Sequence, residues 1–80
     1  MNIKLIEGHF SSSDALDLIV KLIHTKISYH EGKIGNDSTE EDIKYRESKI
    51  KYLQKELFDV LKYFESTKGN LKISADIVVQ

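Results

Sequence analysis

Residues 26–42, KISYHEGKIGNDSTEED, decide the fold of this chain because they contain the end of one helix and the start of another. Gly32 and Gly35 are placed to end the first helix, since glycine is common just after a last helical turn. Residues 40–42 are all acidic, and the amino-terminal end of a helix favours carboxylates. The acidic run is therefore explained without a ligand, and the short link predicts two antiparallel helices.

Serine and threonine at capping positions predict where the helices begin. A capping box pairs such a residue with an acidic residue three positions later. Three pairs with that spacing lie where a helix is expected to begin: Ser11 with Asp14 before the first helix, and Ser38 with Glu41 or Thr39 with Asp42 before the second. The helices are predicted over residues 12–33 and 39–66.

Apolar residues recur at helical spacing in both segments, which predicts one buried seam between them. The stripe of the first helix contains Leu16, Ile19, Val20, Ile23, Ile27, His30 and Ile34. The stripe of the second contains Ile43, Ile50, Leu53, Leu57, Val60, Leu61 and Phe64. Pairing outward from the turn sets Ile27 near Ile50 and places His30 beside Arg46.

The two ends of the chain alternate between apolar and polar residues, as half-buried strands do. Residues 2–7 carry Ile3 and Leu5 on one side, and Gly8 is expected to loosen the strand end. Residues 71–79, LKISADIVV, alternate most clearly. The helical hairpin brings these ends together, so the predicted fold is α+β with the order β-α-α-β, a long antiparallel hairpin and a two-stranded antiparallel ribbon.

Composition places the chain among small, well-solvated proteins. Its 80 residues fit one domain, residues 1–80, and it contains no cysteine, so disulfides and thiolate zinc sites are excluded. The net charge of −1 gives no basic excess for nucleic-acid binding. The start is too short and polar for a secretory signal, and no apolar run reaches the roughly 20 residues of a membrane span. We expect a soluble cytoplasmic protein with no membrane partner.

A two-stranded ribbon is barely stable alone and leaves both edges open, which predicts a homodimer. Tyrosines on the flank of the second helix supply further apolar surface for such a contact. The candidate interface residues are Leu22, Tyr29, Tyr45, Tyr52, Tyr63, Ile77 and Val79. Pattern alone does not decide between the tyrosine flank and the ribbon as the dimer contact.

The chemistry-bearing residues do not form a catalytic or metal-binding pattern. His24 and His30 lie six residues apart, about 120° around a helix, so they do not share one ion. The three serines at residues 11–13 are explained as a helix cap, and no glycine motif for phosphate is present. We predict no cofactor, no metal site and no enzymatic activity.

Nucleic-acid binding is the competing functional class. Tyrosines interleaved with Lys44, Lys49, Lys51 and Lys55 could in principle hold a backbone and stack bases. Glu56 and Asp59 lie beside the tyrosines and would repel phosphate, so a packing face is favoured. The opening NIKLIEGHFSSSDALDLIVKLI resembles the ribbon-helix-helix DNA-binding proteins, which implies, as the alternative function, a dimeric DNA-binding regulator whose first strands pair in the major groove.

A second resemblance covers most of the chain. The stretch IEGHFSSSDALDLIVKLIHTKISYHEGKI, followed by a charged helix and a short alternating tail, resembles a group of small bacterial proteins of the Bacteroidetes type. This resemblance implies a bacterial, cytoplasmic protein and carries over no activity and no functional residue. The function predicted from the residues is a small dimeric protein-interaction or scaffold module.

Overall fold

The computed structural model describes all 80 residues, Met1–Gln80, and has the order strand, helix, helix, strand. The elements are β1 (Asn2–Ser11), α1 (Ser12–Gly32), α2 (Glu40–Phe64) and β2 (Asn70–Val78). The helices form an antiparallel hairpin, and the strands form one two-stranded antiparallel sheet. The α+β fold and the ribbon between the two ends of the chain are confirmed.

Strand β1 is longer than the sequence pattern predicts, because it continues through Gly8 to Ser11 instead of ending near residue 7. Gly8 has φ +139°, a conformation that residues with a side chain rarely adopt. Glycine therefore lets the strand continue through a backbone conformation that would be strained for any residue with a side chain. The Ser12 amide then donates a hydrogen bond to the Gly69 carbonyl, with 2.9 Å between nitrogen and oxygen. This bond joins the end of β1 to the start of β2.

Side-chain caps fix both helix starts. Ser11 accepts a hydrogen bond from the Asp14 amide, as its capping box predicts. Of the two candidates for α2, Thr39 is the cap and accepts from the Asp42 amide at 3.1 Å. Ser38 instead accepts from the Gly35 amide and stabilises the interhelical turn.

The helices are slightly shorter than predicted at their ends. Helix α1 ends one residue early at Gly32, and α2 spans Glu40–Phe64 instead of residues 39–66. Beyond Phe64 the hydrogen bonds join residues three apart instead of four. The Glu65 amide donates to the Lys62 carbonyl, and the Thr67 amide donates to the Phe64 carbonyl. Hydrogen bonds between residues three apart typically close a helix in this way.

A bulge in β1 changes which residues share a face of the ribbon. Ile3 lies opposite Ile77 and Ile6 lies opposite Ala75, so Leu5 is the extra residue between two paired segments. Residues opposite each other in an antiparallel pair point to the same face, so Ile3 shares its face with Ile6. Uninterrupted alternation would place Ile6 on the other face with Asn2 and Lys4, so the bulge shifts the alternation by one residue from Ile6 onward.

The core lies in the seam between the helices and is small. Only four residues are buried, Ala15, Ile23, Ile27 and Leu53, and the last three form one cluster. Around this cluster pack the half-buried Ile19, Ile50, Leu57 and Val60. The predicted seam is confirmed around Ile27 and Ile50.

The two-stranded ribbon and the helical hairpin diverge from each other, and the ribbon does not pack onto α2. Strands β1 and β2 approach α1 only, and no residue of α2 comes within 8 Å of either strand, Cα to Cα. The Cα positions span 47 × 33 × 14 Å. The radius of gyration is 15.4 Å, against about 12 Å for a compact domain of this length.

Candidate functional site

One exposed flank of α2 carries three tyrosines and three charged residues in a regular order. This tyrosine flank consists of Tyr45, Lys49, Tyr52, Glu56, Asp59 and Tyr63. Its members follow each other at spacings of four, three, four, three and four residues, so they form one stripe along the helix. Each of the three tyrosines is more than half exposed, and Glu56 is half-buried.

At the turn end of the hairpin, cationic side chains stack on the two tyrosines that lie on opposite helices. The Arg46 guanidinium carbon is 5.7 Å from the ring centre of Tyr29 and 5.5 Å from that of Tyr45. Lys33 lies 5.5 Å from Tyr29, and Lys49 lies 5.4 Å from Tyr45. Both rings are therefore occupied by cations, which the negative ring face attracts.

His30 joins this cluster to the helix seam. The Arg46 guanidinium donates a hydrogen bond to His30 Nδ1 across the hairpin at 2.9 Å. A guanidinium has only donors, so Nδ1 accepts and the neutral ring carries its proton on Nε2. Partial burial, followed by the charges of Arg46, Lys49 and Lys26, holds the pKa of His30 below its ordinary value. The predicted neighbours His30 and Arg46 are confirmed.

The charges of the tyrosine flank have no ion-pair partner within the chain. The three ion pairs of the protein are Lys4–Glu7, Lys21–Asp17 and Lys44–Glu40, all on other surfaces. Lys49 at one end of the flank, with Arg46 beside it, and Glu56 and Asp59 at the other end are outside these pairs. The flank thus has a basic half and an acidic half, separated by Tyr52.

The outer part of the ribbon is the second exposed apolar surface. Ile77 and Val79 are both exposed, together with Met1, Ile3 and Leu5 on the neighbouring strand. The pairing continues beyond β2, because the Val79 amide donates to the Met1 carbonyl and the Met1 amine donates to the Val79 carbonyl. This surface is ordered by backbone bonds and is not covered by either helix.

The predicted interface residues divide between these two surfaces. Tyr29 and Tyr45 are brought together through Arg46, Tyr52 and Tyr63 continue along α2, and Leu22 is half-buried on α1. Ile77 and Val79 lie on the ribbon, away from α2. The sequence interpretation named Lys49 among the lysines near the tyrosines, but it predicted neither its stacking on Tyr45 nor that of Lys33 on Tyr29. Their signal was present, because each follows a tyrosine by four residues and such pairs are neighbours on a helix.

On the other side of the turn end, an open groove of about 410 Å³ runs between the helices. Its lining is mostly charged or polar: Glu31, Ile34, Glu47, Ile50, Lys51 and Gln54. No group of three or more histidine, aspartate or glutamate side chains is placed to hold a metal ion. Neither helix combines the length and the apolar content needed to cross a membrane.

Comparisons of this chain with protein-family models, with curated proteins and with solved structures find no match. Its function is therefore inferred from its own residues and their arrangement.

Proposed function

We propose that this protein is a small homodimeric protein-interaction module that acts by binding and not by catalysis. The observation that carries the proposal is its exposed surface. The accessible area is 6403 Å², whereas a compact monomer of 9.2 kDa exposes about 4,900 Å². The excess is about 1,500 Å² per chain. Covering all of it would bury about 3,000 Å² over two chains, so the surface is ample for a standard interface of about 1,600 Å² in total.

The shape of the chain supports the same proposal. Stable domains consist of at least two packed layers around a core. A Cα thickness of 14 Å leaves little room for a second layer, and only four side chains are buried. A second copy is the simplest source of the missing layer, because it needs no other component.

Binding to another protein is supported by the ribbon. With two strands, β1 and β2 each have one unpaired edge, and open edges accept a strand from another chain. The exposed apolar residues at the outer part of the ribbon, such as Ile77 and Val79, add surface suited to protein contact.

Light scattering coupled to size-exclusion chromatography tests the dimer directly. At micromolar concentration we expect a mass of about twice 9.2 kDa, with dissociation on dilution detected by sedimentation velocity. A mass of one chain at the highest soluble concentration would overturn the proposal.

DNA binding is the second candidate function, and the basic cluster at the turn end favours it. Lys33, Arg46 and Lys49 lie together without carboxylate partners. Against it, β1 pairs with β2 of its own chain, and the net charge is −1. Fluorescence anisotropy with a mixed-sequence duplex at low salt separates the two, since phosphate contacts give salt-sensitive binding. We expect no binding at about 50 mM salt, and tight, salt-sensitive binding would favour the regulator.

A further inference from the structure

We propose that the second copy packs antiparallel against the tyrosine flank of α2, so that the basic half of each flank faces the acidic half of the other. This inference rests on the proposed homodimer and identifies its contact surface. The ribbon is then left free for other partners.

The first support is the spacing of the flank. Alternation of four and three residues from Tyr45 to Tyr63 is the spacing at which helices pack side by side along their length. The stripe extends over about 27 Å of helix. It lies on the outer side of α2, away from the buried seam residue Leu53, so a second helix can reach it without disturbing the core.

The second support is the order of the charges. Lys49 and Glu56 lie on the same stripe and neither belongs to an ion pair of its own chain. Parallel packing would place Lys49 opposite Lys49 and Glu56 opposite Glu56. Antiparallel packing places Lys49 opposite the partner's Glu56 twice per dimer. Opposite charges favour an orientation and like charges disfavour the alternative, so the charge order selects the antiparallel dimer.

Pairing of Lys49 with the partner's Glu56 also fixes where the twofold axis crosses the helix. The midpoint between these positions lies between Tyr52 and Leu53. The two copies of Tyr52 therefore meet near the axis, where aromatic rings supply much of the contact area of an interface. Tyr45 lies at the level of the partner's Asp59, within reach of a hydrogen bond from its hydroxyl group.

The available area is consistent with a stable contact. Tyr29, Tyr45, Tyr52 and Tyr63 are each 55–66% exposed, so together they offer roughly 400–600 Å² for burial. A specific interface needs about 800 Å² per partner. The half-buried Leu22 and the aliphatic parts of the stacked lysine side chains extend the surface toward that value.

Single cysteines test the geometry, because the protein has no cysteine of its own. Near the axis, Tyr52→Cys is expected to form a disulfide-linked dimer on mild oxidation. Tyr45→Cys and Tyr63→Cys would be about 20 Å or more from their own copies in an antiparallel dimer, beyond the reach of a disulfide. Cross-linking of all three variants with equal efficiency would overturn the antiparallel arrangement.

Charge reversal tests the pairing independently. Lys49→Glu and Glu56→Lys should each weaken the homodimer about tenfold, as measured by sedimentation velocity. An equal mixture of the two variants should form a heterodimer with restored affinity. In this heterodimer both contacts between positions 49 and 56 again join opposite charges. Lys51→Glu is the matched control: it makes the same charge change on the opposite side of α2 and should leave the affinity unchanged.

The outcomes separate the two proposals. A monomeric wild-type protein would overturn the homodimer itself. A wild-type dimer whose affinity is equal in Lys49→Glu and Lys51→Glu, and in which Tyr52→Cys does not cross-link, would retain the dimer and overturn the tyrosine flank as its contact. In that case Ile77→Asp on the ribbon is the variant expected to dissociate it.

Discussion

Arg46 donates a hydrogen bond to Nδ1 of His30 across the helical hairpin, with 2.9 Å between the two nitrogen atoms. The bond requires the neutral imidazole, because a protonated ring has no acceptor at Nδ1. It joins the apolar seam to the stacked cations at the turn end. The protonation state of one half-buried histidine is thus coupled to the packing of the two helices.

The free energy of unfolding should therefore decrease as the pH is lowered, because His30 becomes protonated. Folding lowers the pKa of His30, so the unfolded chain binds the proton more readily. This contribution to the free energy of unfolding is fully present above about pH 6.5 and is lost as the pH falls through the lowered pKa. We expect His30→Asn, which keeps an acceptor that does not titrate, to give a flatter dependence between about pH 7.5 and 5. Urea unfolding at fixed protein concentration measures the slope.

A second variant checks the cause of that slope. Arg46→Met removes both the donor and the nearest positive charge, so it should reduce the pH dependence in part, leaving the effects of burial and of the charges of Lys49 and Lys26. A wild-type slope in His30→Asn would show that the coupling is absent.

The centre of the seam should be the most sensitive position for stability. Leu53 is 3% exposed and packs against Ile23 and Ile27. Leu53→Ala removes buried apolar atoms and leaves a cavity, so it should lower the free energy of unfolding by about 2–4 kcal/mol. The neighbouring exposed residue supplies the control, because Gln54→Ala should change the free energy of unfolding by less than about 0.5 kcal/mol. Chemical denaturation followed by circular dichroism compares the two.

The side-chain cap of α1 should contribute about 1 kcal/mol to the free energy of unfolding. Ser11 accepts from the Asp14 amide at 3.1 Å, and its replacement by alanine leaves that amide without its partner. Ser11→Ala should destabilise the fold by about 1 kcal/mol. Ser13, which is exposed and makes no side-chain hydrogen bond, is the matched position. If Ser13→Ala lowers stability as much as Ser11→Ala, the cap is not the cause.

Two glycines should respond to alanine in opposite directions. Gly8 has φ +139°, so Gly8→Ala forces a strained backbone and should cost about 1–3 kcal/mol, although its Cβ would meet Phe10 only at ordinary contact distance. Gly32 has no such φ and nothing within 4 Å of the added Cβ. Gly32→Ala should stabilise by about 0.4–1 kcal/mol, because it reduces the entropy of the unfolded chain. Thermal unfolding of both variants distinguishes their signs.

Much of the candidate interaction surface could be predicted from the sequence, because helical periodicity assigns each side chain to a face. Tyr45, Tyr52 and Tyr63 are exposed on one flank of α2, as their spacing indicates. The same spacing places Lys49 and Glu56 on that flank, although the sequence interpretation did not use their order. Arg46 contacts Tyr29 across the hairpin, and this depends on how closely two helices approach, which no local pattern contains.

The sequence by itself determined the helical hairpin, its seam and the cap of α1, and it narrowed the cap of α2 to Ser38 or Thr39. Ser11, Thr39 and the apolar stripe around Leu53 act through neighbours within one or two helical turns, and such signals are complete in a contiguous segment. Only the tertiary structure decided the bulge at Leu5, the passage of β1 through Gly8 and the divergence of ribbon and hairpin. The bulge and the course of β1 depend on pairing between residues 59 to 76 positions apart, where the register is set by hydrogen bonds between the two ends of the chain.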